Sequence, residues 1–230
     1  MRLFELAYAC RVYAHMTDYD GALVQFRKVV GLQLDPLQSE HQAALFKWLN
    51  EWGCRQFAKQ HHETIAAVSL VRWAERWLDS LPSPDARLEE LGRADLQRAA
   101  SAYGALQTQI ASHRGTRSIP VSFGATGAAK TLFALRPNVF APWDEPIRVR
   151  LRLDGSALSF GTYLETVAEN LRALSAEASV SVPNLPALVR RPESTPPKLI
   201  DEYNWVVITR NSGPPSRAEL AQWLHWADAR

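Results

Sequence analysis

The run FGATGAAKTLFALRPNVFAPWDEPIRVRL, Phe123 to Leu151, decides how this chain is read. Its first part, GATGAAKT, has glycines, a lysine and a threonine near the spacing of a phosphate-binding loop. Such a loop needs glycine directly before the lysine, because the backbone wraps tightly around the phosphates there. Here Ala129 precedes Lys130, and Gly124 and Gly127 stand too close together. The loop should also follow a buried strand of a parallel sheet. Ser118 to Phe123 is a poor candidate with no other strands to join, so a nucleotide-triphosphatase is the disfavoured reading.

The rest of the run reads as a helical unit. A glycine-containing turn opens an apolar helix from about Ala128 to Leu135, and Arg136-Pro137-Asn138 ends it. A short extended piece, Val139 to Trp143, leads to Asp144-Glu145-Pro146. That triplet is a helix start: the carboxylate can cap, acids suit the positive end, and proline fits the first turn.

Outward from this run, three-four apolar spacing recurs. Ala66, Leu70, Trp73, Trp77 and Leu81 form one stripe. Leu96, Ala99, Tyr103, Leu106 and Ile110 form a second, with Asp95 placed to cap it. Phe160, Leu164, Val167, Leu171 and Leu174 form a third. Ser216 with Glu219 is a capping box for a last helix carrying Leu220, Trp223 and Ala227. The β-like runs are Ser118 to Phe123 and Trp205 to Thr209, and the second can equally end a helix. The fold class expected is mainly α, a helical bundle-like arrangement in a single domain over 1–230.

Composition narrows the function classes. The chain has 230 residues, is 47% hydrophobic and 22% charged, and carries a net charge of +2, which permits a local basic groove without demanding one. Two cysteines, Cys10 and Cys54, cannot build a metal cage and suit a reduced, cytoplasmic protein. Glu5 and Arg11 break the first apolar run, and none elsewhere could cross a bilayer. His61-His62-Glu63 are sequence neighbours, which a helix points apart, so no metal is expected. Arg55 could lower the pKa of Cys54, but no histidine partner is evident. Asp201 and Glu202 read as surface acids.

The order glycine turn, lysine, helix, proline, aspartate resembles the helix–hairpin–helix DNA glycosylases. The resemblance covers about 118–152 plus the helical setting. It departs in three places. The Gly-apolar-Gly core is absent, Lys130 lies one residue further from the glycines, and Lys130 to Asp144 is a shorter gap. The resemblance implies a glycosylase fold with a helix–hairpin–helix element. It implies that Gly124, Ala125, Thr126 and Gly127 hold a DNA phosphate and that Asp144 is catalytic. It implies that Lys130 is the nucleophile in the manner of some members.

An enzyme of this type breaks the bond between base and sugar, leaving an abasic site, and needs no cofactor. It flips the nucleotide out of the stack, so it needs an aromatic wall and polar groups for the base edge. Trp143, Tyr203, Asn204 and Trp205 are the candidates. Arg148 and Arg152 would contact the DNA backbone, with Arg114 and Arg117 adding charge. The partner expected is DNA carrying a damaged or bulky modified base, such as those of some bacteriophage genomes. Removing the latter would be antiviral defence. The alternative is a non-catalytic nucleic-acid-binding module in which Asp144 is only a cap. WGCRQF, Trp52 to Phe57, and KLIDEYNW, Lys198 to Trp205, are flanking segments that can belong to the same unit.

Overall fold

A computed structural model describes residues 1–31 and 33–228. The chain runs α1 (Leu3–Met16), α2 (Tyr19–Val30), α3 (Ser39–Glu51) and α4 (Ala67–Trp77), the last entered through a π turn at His62–Ala66. Then come α5 (Arg93–Gln107) and an antiparallel hairpin, β1 (Ile110–Arg114) with β2 (Ile119–Ser122). The rest is α6 (Gly124–Leu135), α7 (Glu145–Leu151), α8 (Ala157–Ala178), α9 (Leu185–Leu188) and α10 (Pro196–Asn204). A π segment at Trp205–Thr209 follows, then α11 (Arg217–Asp228). The fold is mainly α, and the described strands form one two-stranded sheet. No helix among the described residues is long and apolar enough to cross a membrane.

The sequence explains the centre. From Gly127 to Leu135 every residue of α6 is buried, and a helix apolar on all sides belongs inside a packed core. Around it, α5 packs on α8 and α6, α3 packs on α6 and α2, and α1 packs on α10. Phe160, Leu164, Val167, Leu171 and Leu174 are all buried in α8, as their spacing predicts. So are Leu96, Ala99, Tyr103 and Leu106 in α5.

Ile110 leaves that stripe, because α5 stops at Gln107 and Ile110 begins β1 with 38% of its surface exposed. The cap of α5 is Gly92, and Asp95 reaches back from the first turn to accept its N–H at 3.2 Å. The Ser216–Glu219 box forms in both directions. The side chains of Trp223 and Ala227 lie outside the described set. Ser118 to Phe123 does contain a strand, whereas Trp205–Thr209 is a π segment continuing α10.

Candidate active site

α6 begins directly after β2, where Gly124 turns the chain at a φ of +67° that glycine adopts freely. Two turns on, Lys130 is the one ionisable side chain in the buried stretch of α6. A buried ammonium needs acceptors. Lys130 Nζ donates to the Trp52 carbonyl at 2.7 Å and meets Asp144 Oδ1 at 3.0 Å. It also lies 5.5 Å from the centre of the Trp52 ring. Burial alone would push the amine down, yet the Asp144 carboxylate beside it carries it above its ordinary value. Lys130 is therefore a held ammonium ion.

Asp144 is the N-cap residue of α7, but its side chain makes no capping bond. The carboxylate is given instead to Lys130 and stays 26% exposed. Both groups line one cleft of about 400 Å³. Its aromatic walls are Tyr19, Trp52 and Trp205, and its polar lining includes Gln56, Thr126 and Arg210. Arg210 stacks over Trp205 at 4.6 Å. Thr209 also lines the cleft, but its hydroxyl oxygen is itself buried and has no partner among the described residues.

The glycine segment is placed unevenly. Thr126 reaches the cleft. Ala125 instead turns its carbonyl to the Trp143 indole at 3.4 Å. Gly127 is pressed against Gln56 and the Phe57 ring, so closely that a Cβ there would meet Gln56 Nε2 at 2.5 Å. Gln56 holds the hairpin to the cleft edge: its side-chain amide donates to the Phe123 carbonyl, and its backbone carbonyl accepts from the Ser112 hydroxyl, both at 2.6 Å. What precedes α6 in space and sequence is thus a β-hairpin.

Other expected site residues sit elsewhere. Trp143 does not wall the cleft. It is fully buried, 5.0 Å from Tyr163 and 5.2 Å from Phe160, because the extended piece before Asp144 points it at α8. Tyr203 and Asn204 also lie off the cleft, and of the four base-pocket candidates only Trp205 faces it. Arg148 donates to Thr126 Oγ1 at 2.9 Å and lies over the Trp143 ring, which fixes the start of α6. Arg152 is exposed at the end of α7 in a left-handed conformation. Cys54 lines the cleft as a neutral thiol, since burial pushes it up to about 11 against the pull of Lys130.

Behind the cleft lies a second group of charges. Asp201 and Glu202 are 7% and 0% exposed, not surface acids. Glu202 accepts from Arg191, from Ser194 and from Lys198. Arg191 also binds Asp20, and Lys198 donates to the Tyr13 hydroxyl at 3.1 Å. Lys198 lies 5.2 Å from the centre of the Trp52 ring, so this group and the Lys130–Asp144 pair share that indole. Burial pushes Asp201 up to about 7, with Lys198 opposing and Asp144 adding to the rise. Sequence reasoning passed over Tyr19, Trp52, Gln56, Thr209 and Arg210 as cleft residues. The signal for two of them was their place in the flanking WGCRQF segment.

Compared with protein-family models, with curated proteins and with solved structures, the chain matches none.

Proposed function

We propose that the chain is a DNA glycosylase that hydrolyses the bond between a flipped-out base and its sugar, with Asp144 as the catalytic carboxylate. The observation that carries this reading is the Lys130–Asp144 pair. A helix-capping aspartate has been withdrawn from its cap and held by a buried ammonium at the floor of an aromatic-walled cleft. A flipped base needs aromatic walls and polar groups for its edge; Tyr19 and Trp205 supply the first, and Gln56 and Thr126 line the same cleft.

The chemistry follows from charge. As the base leaves with the bonding electron pair, positive charge grows on the sugar, and a nearby carboxylate stabilises it. Asp144 then takes a proton from water, whose oxygen bonds to the anomeric carbon. The departing base is protonated by solvent. Lys130 orients Asp144. A Schiff base would need a neutral amine, and the proximity of Asp144 keeps this one charged. The product is therefore an intact strand with an abasic site. Stacked on Trp205, Arg210 provides positive charge at the rim for a phosphate. The helix–hairpin–helix resemblance enters as support for the lysine–aspartate order, while the grip on the backbone falls to Thr126, Arg210 and the hairpin arginines Arg114 and Arg117.

The test is incubation with a panel of DNAs, including phage genomes with modified cytosines, followed by alkaline cleavage at abasic sites. Cleavage by the wild type but not by Asp144→Asn supports the proposal. DNA binding with no abasic sites on any substrate moves the chain to the non-catalytic binding reading.

A further inference from the structure

A second cavity, of about 430 Å³, backs onto the wall of the cleft. Phe133 in its lining stacks on Trp52 in the lining of the cleft, with centroids 6.0 Å apart. Its apolar surface comes from Leu23, Val24, Phe133 and Pro137. Pockets of this volume, mainly apolar with a few convergent polar heads, suit small organic ligands.

The polar heads divide into used and unused. Arg191 is answered by Asp20 and Glu202, and Lys198 by Glu202 and the Tyr13 hydroxyl. The Thr195 hydroxyl donates to the Pro137 carbonyl, and that of Ser194 to Glu202. Arg27 is different. Its guanidinium lies 5.3 Å from the Phe26 ring and has no oxygen partner among the described residues. The other inward-facing cations all have one: Lys130 has Asp144, Arg136 the Pro82 carbonyl, Arg191 and Lys198 carboxylates. Desolvation has drawn the Arg27 pKa down to about 10, the cost of a cation held in an apolar wall with nothing to neutralise it.

Lys28 also lines the cavity without a partner among the described residues, and so does the carboxylate of Glu193. Lys28 and Glu193 are exposed, so water answers their charges, and Arg27 is left as the half-buried cation of the cavity with no oxygen partner among the described residues. An arginine fork fits a planar carboxylate through two parallel bonds. We propose that this cavity binds a small organic acid, one carboxylate on a flat apolar body, with Arg27 as its anion receptor and the Leu23, Val24, Phe133 and Pro137 surface as its seat. The site stands independently of the base-excision reading.

Calorimetric titration of the full chain tests it, with cinnamate as the ligand. Cinnamate should bind with Kd below about 1 mM. Cinnamyl alcohol, the same body without charge, and inorganic phosphate, charge without the body, should each bind at least about tenfold more weakly. Arg27→Gln should weaken cinnamate by at least about tenfold. Val24 is 45% exposed, so Val24→Glu should leave the fold intact while its carboxylate repels the ligand from the cavity. The proposal fails if cinnamate does not bind the wild type, if the alcohol or phosphate binds equally well, or if binding survives both the Arg27 and Val24 substitutions.

Discussion

Asp201→Asn should change how stability depends on pH, and the structure fixes both sign and size. Three buried or half-buried cations, Lys130, Arg191 and Lys198, face four carboxylates, Asp20, Asp144, Asp201 and Glu202. One carboxylate is therefore in excess. Glu202 has the closest set of donors, Asp144 has Lys130 and Asp20 has Arg191. Among the described residues Asp201 has only Lys198 as an ion-pair partner, at 3.5 Å, and of these four it is the acid whose pKa rises, from 3.8 to about 7. A raised acid holds its proton in the folded state at pH values where the unfolded chain has released it. The stability contributed by Asp201 is therefore fully present below about pH 4, is lost as pH rises toward about 7, and is flat above. About three pH units at about 1.4 kcal/mol each give a ceiling of about 4 kcal/mol. Relaxation of the buried site lowers that to about 2 kcal/mol. Asparagine mimics the protonated acid and cannot ionise. Urea denaturation at about pH 4.5 and about pH 8 should show Asp201→Asn gaining about 2 kcal/mol on the wild type between the two conditions. Comparing the two proteins cancels every other titrating group to first order. If the difference between them is the same at both pH values, Asp201 is not the acid that holds the network's proton.

Asp144→Asn should lower base release by at least about a hundredfold while costing about 2 kcal/mol of stability by denaturation, the loss arising from the Lys130 charge pair and not from a cap. Lys130→Met should cost about 3 kcal/mol, because the Trp52 carbonyl loses its donor and Asp144 its counter-ion. Borohydride treatment of a reacting wild-type mixture should trap no protein–DNA adduct, since the Lys130 amine is held protonated; an adduct lost in Lys130→Met would make it a nucleophile. Gly124→Ala should cost about 1 kcal/mol in thermal unfolding, for its φ is +67° and nothing lies within 4 Å of the added carbon, so the cost is backbone alone.

Periodicity located the helices because burial follows one face. The α8 stripe is intact, and the α5 stripe fails only at Ile110, where the chain leaves the helix and β1 begins. A single local hairpin does not repeat, so its first strand had no pattern to announce it. The β-branched run Val206 to Thr209 has strand propensity, yet packing against α1 and α7 holds it as a π segment. The Lys130 and Asp144 pairing lay within one readable motif. Trp143 was misplaced for a simple reason: sequence gives the chemistry of an aromatic ring but not the direction in which the extended residue before a helix points it.

The charged run of α10 shows the deeper limit. Lys198, Asp201 and Glu202 stand three and four residues apart, a spacing that serves equally for a solvated face and for an internal network. What makes it internal is remote: Arg191 bridges to Asp20, 171 residues away, and Tyr13 receives Lys198 across 185. Trp52, from a third segment, closes the arrangement, its indole N–H donating to the Tyr19 carbonyl at 3.0 Å while its ring lies beneath both ammonium groups. Two like charges near one ring repel, so the arrangement persists only while Asp144 and Glu202 neutralise them. The aspartate that the proposed chemistry uses is thus also part of what lets Trp52 wall the cleft. Charge on Asp144 and the shape of the cleft are coupled through that indole, over segments that no local pattern joins.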